Sequence, residues 1–400
     1  MFGFGNRRIY LDHASATQVL PEAIAMMREA EKLVGNPGAI HAEGVEAKNA
    51  LEEAREAIAK ELACKSREVI FTSGLTESND LAILGVARKL MIQNREDDVE
   101  GTHWIVSAIE HDAVLNSFAE IERLDGEVTH VFPDKNGVIT PEAVAKEVRD
   151  NTVLVSVGWA NNETGVIQPL RDISRAAREK NENVLIHSDA GQAPLYIAPH
   201  VHTVDIDLLA LGSNKLYGPH GIGALYLSNR VQSVNILHGG KQERGLRPGT
   251  ENVALALGMA AAVAIISEER NAARDAMRKL RDEFARELLK STPDMVVNGN
   301  LDRVLPHMLN VSVRGVDAEY VTLALSQRGV SVSTKSACRE GEESQSHVVR
   351  AMVGDDQDDL WRAENAFRFS LGKDTTVRDL MRTARLFSEC VNLSRSQRHV

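Results

Sequence analysis

An α/β fold, with a mixed but mostly parallel sheet covered by helices and a smaller α+β domain after it, is what the sequence predicts. Three observations carry that prediction. Between about residues 40 and 230, amphipathic helical patterns alternate with short β-branched runs, the signature of parallel strands joined by crossover helices. Thr76, His111, Asn162, Asp189 and Lys215 fall just past the carboxyl ends of those runs, where open parallel sheets take their ligands. After Thr250 the pattern changes to a long helical stretch and then to scattered strands.

The elements follow in order. Leu51, Ala54, Ile58 and Leu62 recur at helical spacing, and Val69-Ile-Phe-Thr72 reads as a strand ending at Ser73-Gly74. Ile105-Val-Ser107 is the next strand, and Val114, Phe118 and Ile121 mark the buried face of the helix after it. Runs at 153–157, 184–187 and 208–211 repeat the logic. Residues 251–290 read as one long helix, strands follow at 308–313 and 330–332, and a last helix starts at Thr376. The organisation predicted is a large cofactor domain at 16–260 and a small domain made of 1–15 and 261–400. No low-complexity linker separates them, so the boundary falls within or beside a helix.

Composition narrows the function. With 43% apolar and 26% charged residues the chain is an ordinary globular protein, and a formal net charge of -11 without a local basic patch argues against nucleic acid. Cys64, Cys338 and Cys390 are far apart and form no CxxC pair, which argues against a zinc site and a disulfide framework and points to a reducing cytoplasm. The opening residues lack the apolar core of a secretory signal, and the longest apolar run, the Ala-rich 253–266, falls short of the roughly 18 residues of a membrane span. No membrane role is expected.

Two segments suggest a cofactor. His187-Ser-Asp189-Ala-Gly-Gln192 closes an apolar run, and Ser213-Asn-Lys215-Leu-Tyr-Gly-Pro-His-Gly221 follows about two dozen residues later. A carboxylate at a strand end can hold a protonated pyridine nitrogen, and a lysine beyond the next strand can form a Schiff base with an aldehyde, the two needs of pyridoxal 5'-phosphate, PLP. Thr72-Ser-Gly-Leu-Thr76-Glu-Ser-Asn79 offers a glycine turn, hydroxyls and a helix start for a phosphate. Ser213 offers a second hydroxyl there, and Gln192 an amide for the ring's phenolate oxygen. Gly218, Gly221 and Gly223 follow no strand-to-helix turn, so a dinucleotide loop is a poor reading.

Three further residues complete the picture. His111 stands where an imidazole can stack on a planar ring and shuttle protons. Arg368 puts a guanidinium suited to a carboxylate into an apolar strand, and Cys338 sits in a polar stretch between Lys335 and Arg339, cations that favour its thiolate. Each has an ordinary reading when taken alone: Asp189 and His111 as helix caps, Lys215 as a solvated lysine, Arg368 as a structural ion pair, Cys338 as an incidental thiol. Cys64 and Cys390 read as packing residues. PLP together with an available thiol suggests sulfur chemistry.

Taken in order, Tyr10-Leu-Asp-His-Ala-Ser-Ala-Thr17, Asn36-Pro37, Phe71-Thr-Ser-Gly-Leu-Thr-Glu-Ser-Asn79, Glu110-His111, Asn161-Asn-Glu-Thr-Gly165, Asp189-Ala-Gly-Gln192, Glu243-Arg-Gly-Leu-Arg-Pro-Gly-Thr-Glu-Asn252 and Ser336-Ala-Cys-Arg-Glu-Gly341 form a set. That set resembles the class I cysteine desulfurases of the NifS/IscS group, fold-type-I PLP enzymes of the class V aminotransferase superfamily. The resemblance implies that Lys215 is the Schiff-base lysine, Asp189 pairs with the pyridinium, His111 stacks on the ring and Gln192 meets its phenolate oxygen. It implies that Asn162, Thr76 and Ser213 complete the cofactor shell, with Leu75 and Asn214 beside the phosphate. Thr250 would reach the phosphate of a second subunit in a homodimer, and Arg368 with Asn36 would take the carboxylate of L-cysteine. Lys215 and His111 would move protons, and the Cys338 thiolate would attack the substrate sulfur. Alanine leaves, and a persulfide is carried to an acceptor protein such as an iron-sulfur scaffold or a thiolation enzyme.

Four positions depart from the pattern: Asn214 stands where histidine is usual, Asp12-His13-Ala-Ser15 replaces Asp-Asn-Ala-Ala, Leu75 replaces a small residue, and Lys241 interrupts a triple glycine. The competing readings are a selenocysteine lyase or another class V enzyme, and a docking subunit that keeps the fold without the chemistry.

Overall fold

A computed structural model describes residues 8–334 and 345–397. Its strands are β1 (Ile9–Tyr10), β2 (Val69–Thr72), β3 (His103–Ser107), β4 (Glu127–Val131), β5 (Thr152–Ser156), β6 (Leu185–Asp189), β7 (Leu208–Gly212), β8 (Gly223–Leu227), β9 (Met295–Val297), β10 (Met308–Val313), β11 (Val330–Ser331) and β12 (Ala366–Ser370). Seven of them form the main sheet in the order β2-β8-β7-β6-β5-β3-β4. β3 to β7 run parallel, and β8 alone is antiparallel to both its neighbours.

Burial explains which strands announced themselves. Every residue of β3 and β7 is buried, because helices cover both faces of the sheet, and such strands read as continuous apolar runs. Trp104, Phe118 and Leu225 belong to the core on one face; Ile105, Phe71 and Leu209 belong to the core on the other. The edge strand β4 is largely exposed and carries Glu, Thr and His, so its sequence hides it.

The helices are α1 (Pro21–Ala30), α2 (Ala42–Leu62), α3 (Leu75–Asn94) and α4 (Asp112–Arg123), followed among the described residues by eight more up to Val377–Gln397. The chain leaves the main sheet in a single 39-residue helix, Val253–Ser291, which packs on α1 and α2 near its start and on the last helix further along. The boundary expected near residue 260 thus falls inside continuous helix. Beyond it, β9, β10 and β12 form an antiparallel sheet in the order β12-β10-β9, and β1 pairs in parallel with β11. Phe284, Phe367, Phe369 and Phe387 meet edge to face beneath this sheet at centroid separations of 5.1–5.5 Å. Such pairs each add about 0.5–1.5 kcal/mol beyond their buried area. Among the described residues no helix is long and apolar enough to cross a membrane.

One connection matters most for the site. After β1 the chain bridges from Asp12 to Ser370 and then turns into the main sheet, where Thr17 N donates to Asn214 O at 3.0 Å. Residues 12–17 therefore run along the seam between the two sheets.

Candidate active site

The carboxyl edge of the main sheet opens into a cavity of about 420 Å³, lined among others by Thr76, His111, Asn162, Asp189 and Lys215. Each stands at or beyond the carboxyl end of a strand: Asp189 ends β6, Thr76 opens α3 after β2, and the others follow β3, β5 and β7. The Asp189 carboxylate is fixed from both sides: Asn79 Nδ2 donates to Oδ2 at 2.7 Å and the Gly191 amide to Oδ1 at 2.8 Å. No α-helix starts here for Asp189 to cap; the next element is the short 3-10 turn Ala193–Leu195. The two N–H donors fix the orientation in which Asp189 presents its carboxylate.

α3 begins at the same cavity. Its N-cap is Gly74, at φ 156°, with no side chain to take the first-turn amides. A Cβ built at Gly74 would meet no atom within 4 Å, so this helix start faces open space. Unclaimed amides and the positive end of a 20-residue helix make an anion site. Leu75 covers Gly191 and Gly212: a Cβ at Gly191 would come within 2.5 Å of Leu75 Cδ2, and one at Gly212 within 3.0 Å of Leu75 Cβ. The bulky Leu75 is matched by two residues without side chains.

His111 is a helix cap as well as a cavity residue. Its Nδ1 accepts from Ala113 N at 3.1 Å at the start of α4, which puts the proton of the neutral ring on Nε2. The preceding Glu110 is buried, with Oε1 accepting from Gly158 N at 2.8 Å. Burial pushes its carboxyl up to about 8, with the Gly158 amide opposing and the Asp189 charge adding, so it is neutral at pH 7.

Lys215 closes the 3-10 turn Ser213–Lys215 after β7. Its Nζ donates to the carbonyls of Ala14 at 2.8 Å and Ser15 at 2.6 Å, and Gln192 Nε2 donates to the same Ala14 carbonyl at 2.9 Å. Tyr217, two residues on, takes a left-handed φ of 56° and is held by Thr17 Oγ1, which accepts from its amide at 2.8 Å. Arg368, from β12, reaches the cavity from the smaller sheet. Its Nη1 donates to Asn162 O at 2.8 Å, and its Nη2 to Asp12 Oδ1 at 2.7 Å and Ser15 Oγ at 2.6 Å.

Not every expected residue arrives here. Thr76, Leu75, His111, Asn162, Asp189, Gln192, Asn214, Lys215 and Arg368 all line the cavity. Ser213 does not: it is fully buried, and its hydroxyl lies under Gly218, where a Cβ would come within 2.2 Å of it. In a 3-10 turn successive side chains step by about 120°, so Ser213 and Lys215 face different ways. Asn36 lies on an exposed turn where its Oδ1 accepts from Gly38 N at 2.9 Å, and Thr250 lines a separate hollow with Arg247 and Glu243. Cys338 lies outside the described residues. On its N-terminal side Ser333 exchanges backbone hydrogen bonds with Arg368 at 2.7 and 3.2 Å, and on its C-terminal side Ser346 Oγ donates to Glu163 Oε2 at 2.5 Å.

Sequence reasoning missed Asn79, Glu110, Asp12 and Ser15 as parts of the site. Asn79 had a signal, since it follows Thr76 by three positions and so shares its helix face. The arrangement suits a flat, anionic aldehyde: a carboxylate for a ring nitrogen, an amine, an imidazole and an open helix start for a phosphate. PLP fits these residues.

Comparison with known proteins agrees. The class V aminotransferase family matches residues 9–382. A cysteine desulfurase IscS of Dictyoglomus turgidum is 39% identical over 375 residues, 94% of this chain and 92% of that protein. The IscS of Methanosarcina thermophila is 36% identical over 392 residues, 98% of this chain and 94% of its own length. Among solved structures, a NifS-like protein superposes with a TM-score of 0.88 at 32% identity, covering 96% of this chain and all of that one. A structure described as SspA in complex with cysteine gives 0.77 at 32% identity, with 91% and 98% covered.

Proposed function

We infer a sulfur-transfer role for this chain, which belongs to the class V aminotransferase family and resembles IscS and NifS-like proteins along nearly its whole length. It is a PLP-dependent cysteine desulfurase that acts on L-cysteine. The observation that carries the reading is the convergence of Asp189, Lys215 and the open start of α3 on one cavity.

When bound, PLP supplies an electron sink that labilises bonds at the substrate's Cα and weakens its C–S bond. The chain's own residues do the rest. Lys215 would hold the cofactor through its amine and move protons at the substrate Cα. Asp189, oriented by Asn79 and Gly191, would pair with the pyridine nitrogen and favour its protonated form. His111 would stack on the ring, and Gln192 would turn its amide to the phenolate oxygen. The α3 start and Thr76 hold the phosphate beside Leu75, with Asn214 as a further donor. Ser213, whose buried hydroxyl has no hydrogen-bond partner among the described residues, is proposed as a further phosphate donor.

Arg368, whose Nη1 holds the Asn162 carbonyl, takes the substrate carboxylate, with Asn162 beside it; Asn36, off the cavity in this chain, is proposed as a further contact on the family resemblance alone. The Cys338 thiolate would then attack the substrate sulfur: an S–S bond forms, the Cβ–S bond breaks with its electron pair left toward Cβ, and protonation at Cβ and at Cα gives alanine. The resulting persulfide passes to an acceptor protein, an iron-sulfur scaffold or a thiolation enzyme. Residues 16–260 form the cofactor domain, and 1–15 with 261–400 the domain that carries Cys338; the two separate sheets support this division. The working form is a homodimer, a reading supported by Thr250, which is exposed and off its own chain's main cavity and so is placed to serve a second copy. The free thiols Cys64 and Cys390 support a reducing, cytoplasmic setting.

The test is peptide mass spectrometry after brief exposure to L-cysteine. One added sulfur should appear on Cys338 and be lost in Cys338→Ser. Sulfur on Cys64 or Cys390, or sulfide release at the parent rate by Cys338→Ser, removes Cys338 as the acceptor.

A further inference from the structure

Ser15 stands where two sets of hydrogen bonds meet on the cavity wall. Its hydroxyl accepts from Arg368 Nη2 at 2.6 Å and donates to Asp12 Oδ1 at 3.0 Å. Its carbonyl accepts from Lys215 Nζ at 2.6 Å. Asp12 Oδ1 takes the same Nη2 at 2.7 Å, and the Asn162 carbonyl takes Nη1 at 2.8 Å.

A guanidinium offers a carboxylate two edges with a parallel pair of donors, Nη1 with Nη2 and Nη2 with Nε. Both edges include Nη2. In this chain Ser15 Oγ already stands there, and it shares that nitrogen with Asp12. A substrate carboxylate that docks on two nitrogens must displace an oxygen from Nη2, and Ser15 is the neutral one of the pair. Asp12 is held more firmly, because it also makes the ion pair with Arg368.

We propose that Ser15 sets this chain's affinity for the carboxylate of its amino-acid substrate: its hydroxyl is an internal competitor for Arg368 Nη2 that turns away as the carboxylate docks. Rotation about Cα–Cβ lets that hydroxyl serve Asp12 alone, without moving the carbonyl that holds Lys215. Ser15 is thus a positioning residue for Arg368, and its backbone contact with the lysine survives any side-chain change. The inference rests on the reading of Arg368 as the carboxylate binder.

The experiment uses the holoenzyme and two probes, 3-mercaptopropionate, which has cysteine's thiol and carboxylate, and cysteamine, which has its thiol and amine. Removing one competing hydrogen bond to a charged group in Ser15→Ala should tighten 3-mercaptopropionate by about tenfold. The KM for L-cysteine should fall with it, cysteamine should bind as to the parent, and Ser15→Thr, which restores a hydroxyl, should return both values toward the parent. Arg368→Lys should weaken 3-mercaptopropionate whether residue 15 is serine or alanine. If Arg368→Lys weakens it but Ser15→Ala leaves it unchanged or weaker, Ser15 is no competitor and the inference falls alone. A cysteamine shift equal to that of 3-mercaptopropionate would also overturn it, as a general disturbance of the site. If Arg368→Lys binds 3-mercaptopropionate like the parent, the reading of Arg368 falls and takes this inference with it.

Discussion

Asp189 shows how much of a site one residue can carry and how much it borrows. The carboxylate was legible because aspartate at the end of an apolar run, before Ala-Gly-Gln, is a short-range pattern. Its orientation was not legible, because the donor that fixes it, Asn79, lies 110 positions away on α3. Asn79→Ala removes one of the two hydrogen bonds that hold the carboxylate, at about 1.5–3 kcal/mol for a bond to a charged group. The variant should lose roughly ten- to a hundredfold in PLP affinity by equilibrium titration, whereas Asp189→Asn should retain PLP yet lose turnover almost entirely. Parent-like PLP affinity in Asn79→Ala would mean that the Gly191 amide suffices. Ser213 marks the opposite case. The string offers it as a phosphate donor; the tight turn after β7 buries its hydroxyl beside Gly218 without a hydrogen-bond partner among the described residues, and nothing in the string tells an α-helical from a 3-10 start. Lys215, Thr76 and Arg368 lie on the cavity as their strings suggested.

Among the elements, β2, β3, β5, β6 and β7 were legible, while the partly exposed edge strand β4 and the Gly-led β8 were not. β3, β5 and β7 appear as β-branched or leucine runs because no residue in them faces bulk water over more than a fraction of its surface. β4 alternates partly exposed residues, and the two-residue β1 exists only because it pairs with β11, some 320 positions later. Such long-range pairing leaves no local mark. The start of α3 is the element that matters most to chemistry. Gly74 sits at φ 156° and ψ -175°, a region that side chains rarely enter, and space is no obstacle there, since a Cβ would touch nothing. Gly74→Ala therefore tests backbone strain in isolation. It should cost about 1–3 kcal/mol of stability, or relax by turning the first amides of α3 out of the cavity. Either way, phosphate binding to the chain freed of PLP, followed calorimetrically, should weaken. An alanine variant with parent stability and parent phosphate affinity would show that the helix start is not held in this conformation.

At the scale of the whole molecule, two sheets joined by one 39-residue helix enclose several ionisable groups that stay neutral inside. The α/β class, and the change of pattern after Thr250, were legible because they are properties of many residues at once; the seam at residues 12–17 was not, because it joins segments from both ends of the chain. The neutral groups give the fold a pH signature. Burial holds His187 and His307 down to about 3, and it pushes Glu110 up to about 8. In the unfolded chain the histidines take up protons below about 6.5, so the stability they lend is whole above that pH and is lost as the pH falls toward 3. Glu110 has the opposite sign: its folded value is raised, so its contribution is whole below about 4.5 and is lost as the pH rises through 8. Between 4.5 and 6.5 two rising slopes outweigh one falling slope, and above 6.5 only the falling one remains. Stability should therefore peak near pH 6.5 and decline by roughly 1.4 kcal/mol per pH unit on the alkaline side, about 2 kcal/mol by pH 8. The measurement is the urea midpoint against pH on the chain without PLP or cysteine, since either ligand adds its own linkage. Glu110→Gln should flatten the limb above pH 6.5 and leave the acid limb to His187 and His307. A parent whose midpoint does not change between pH 6.5 and 8, or a glutamine variant that keeps the alkaline decline, would show that Glu110 is not the buried acid that sets it.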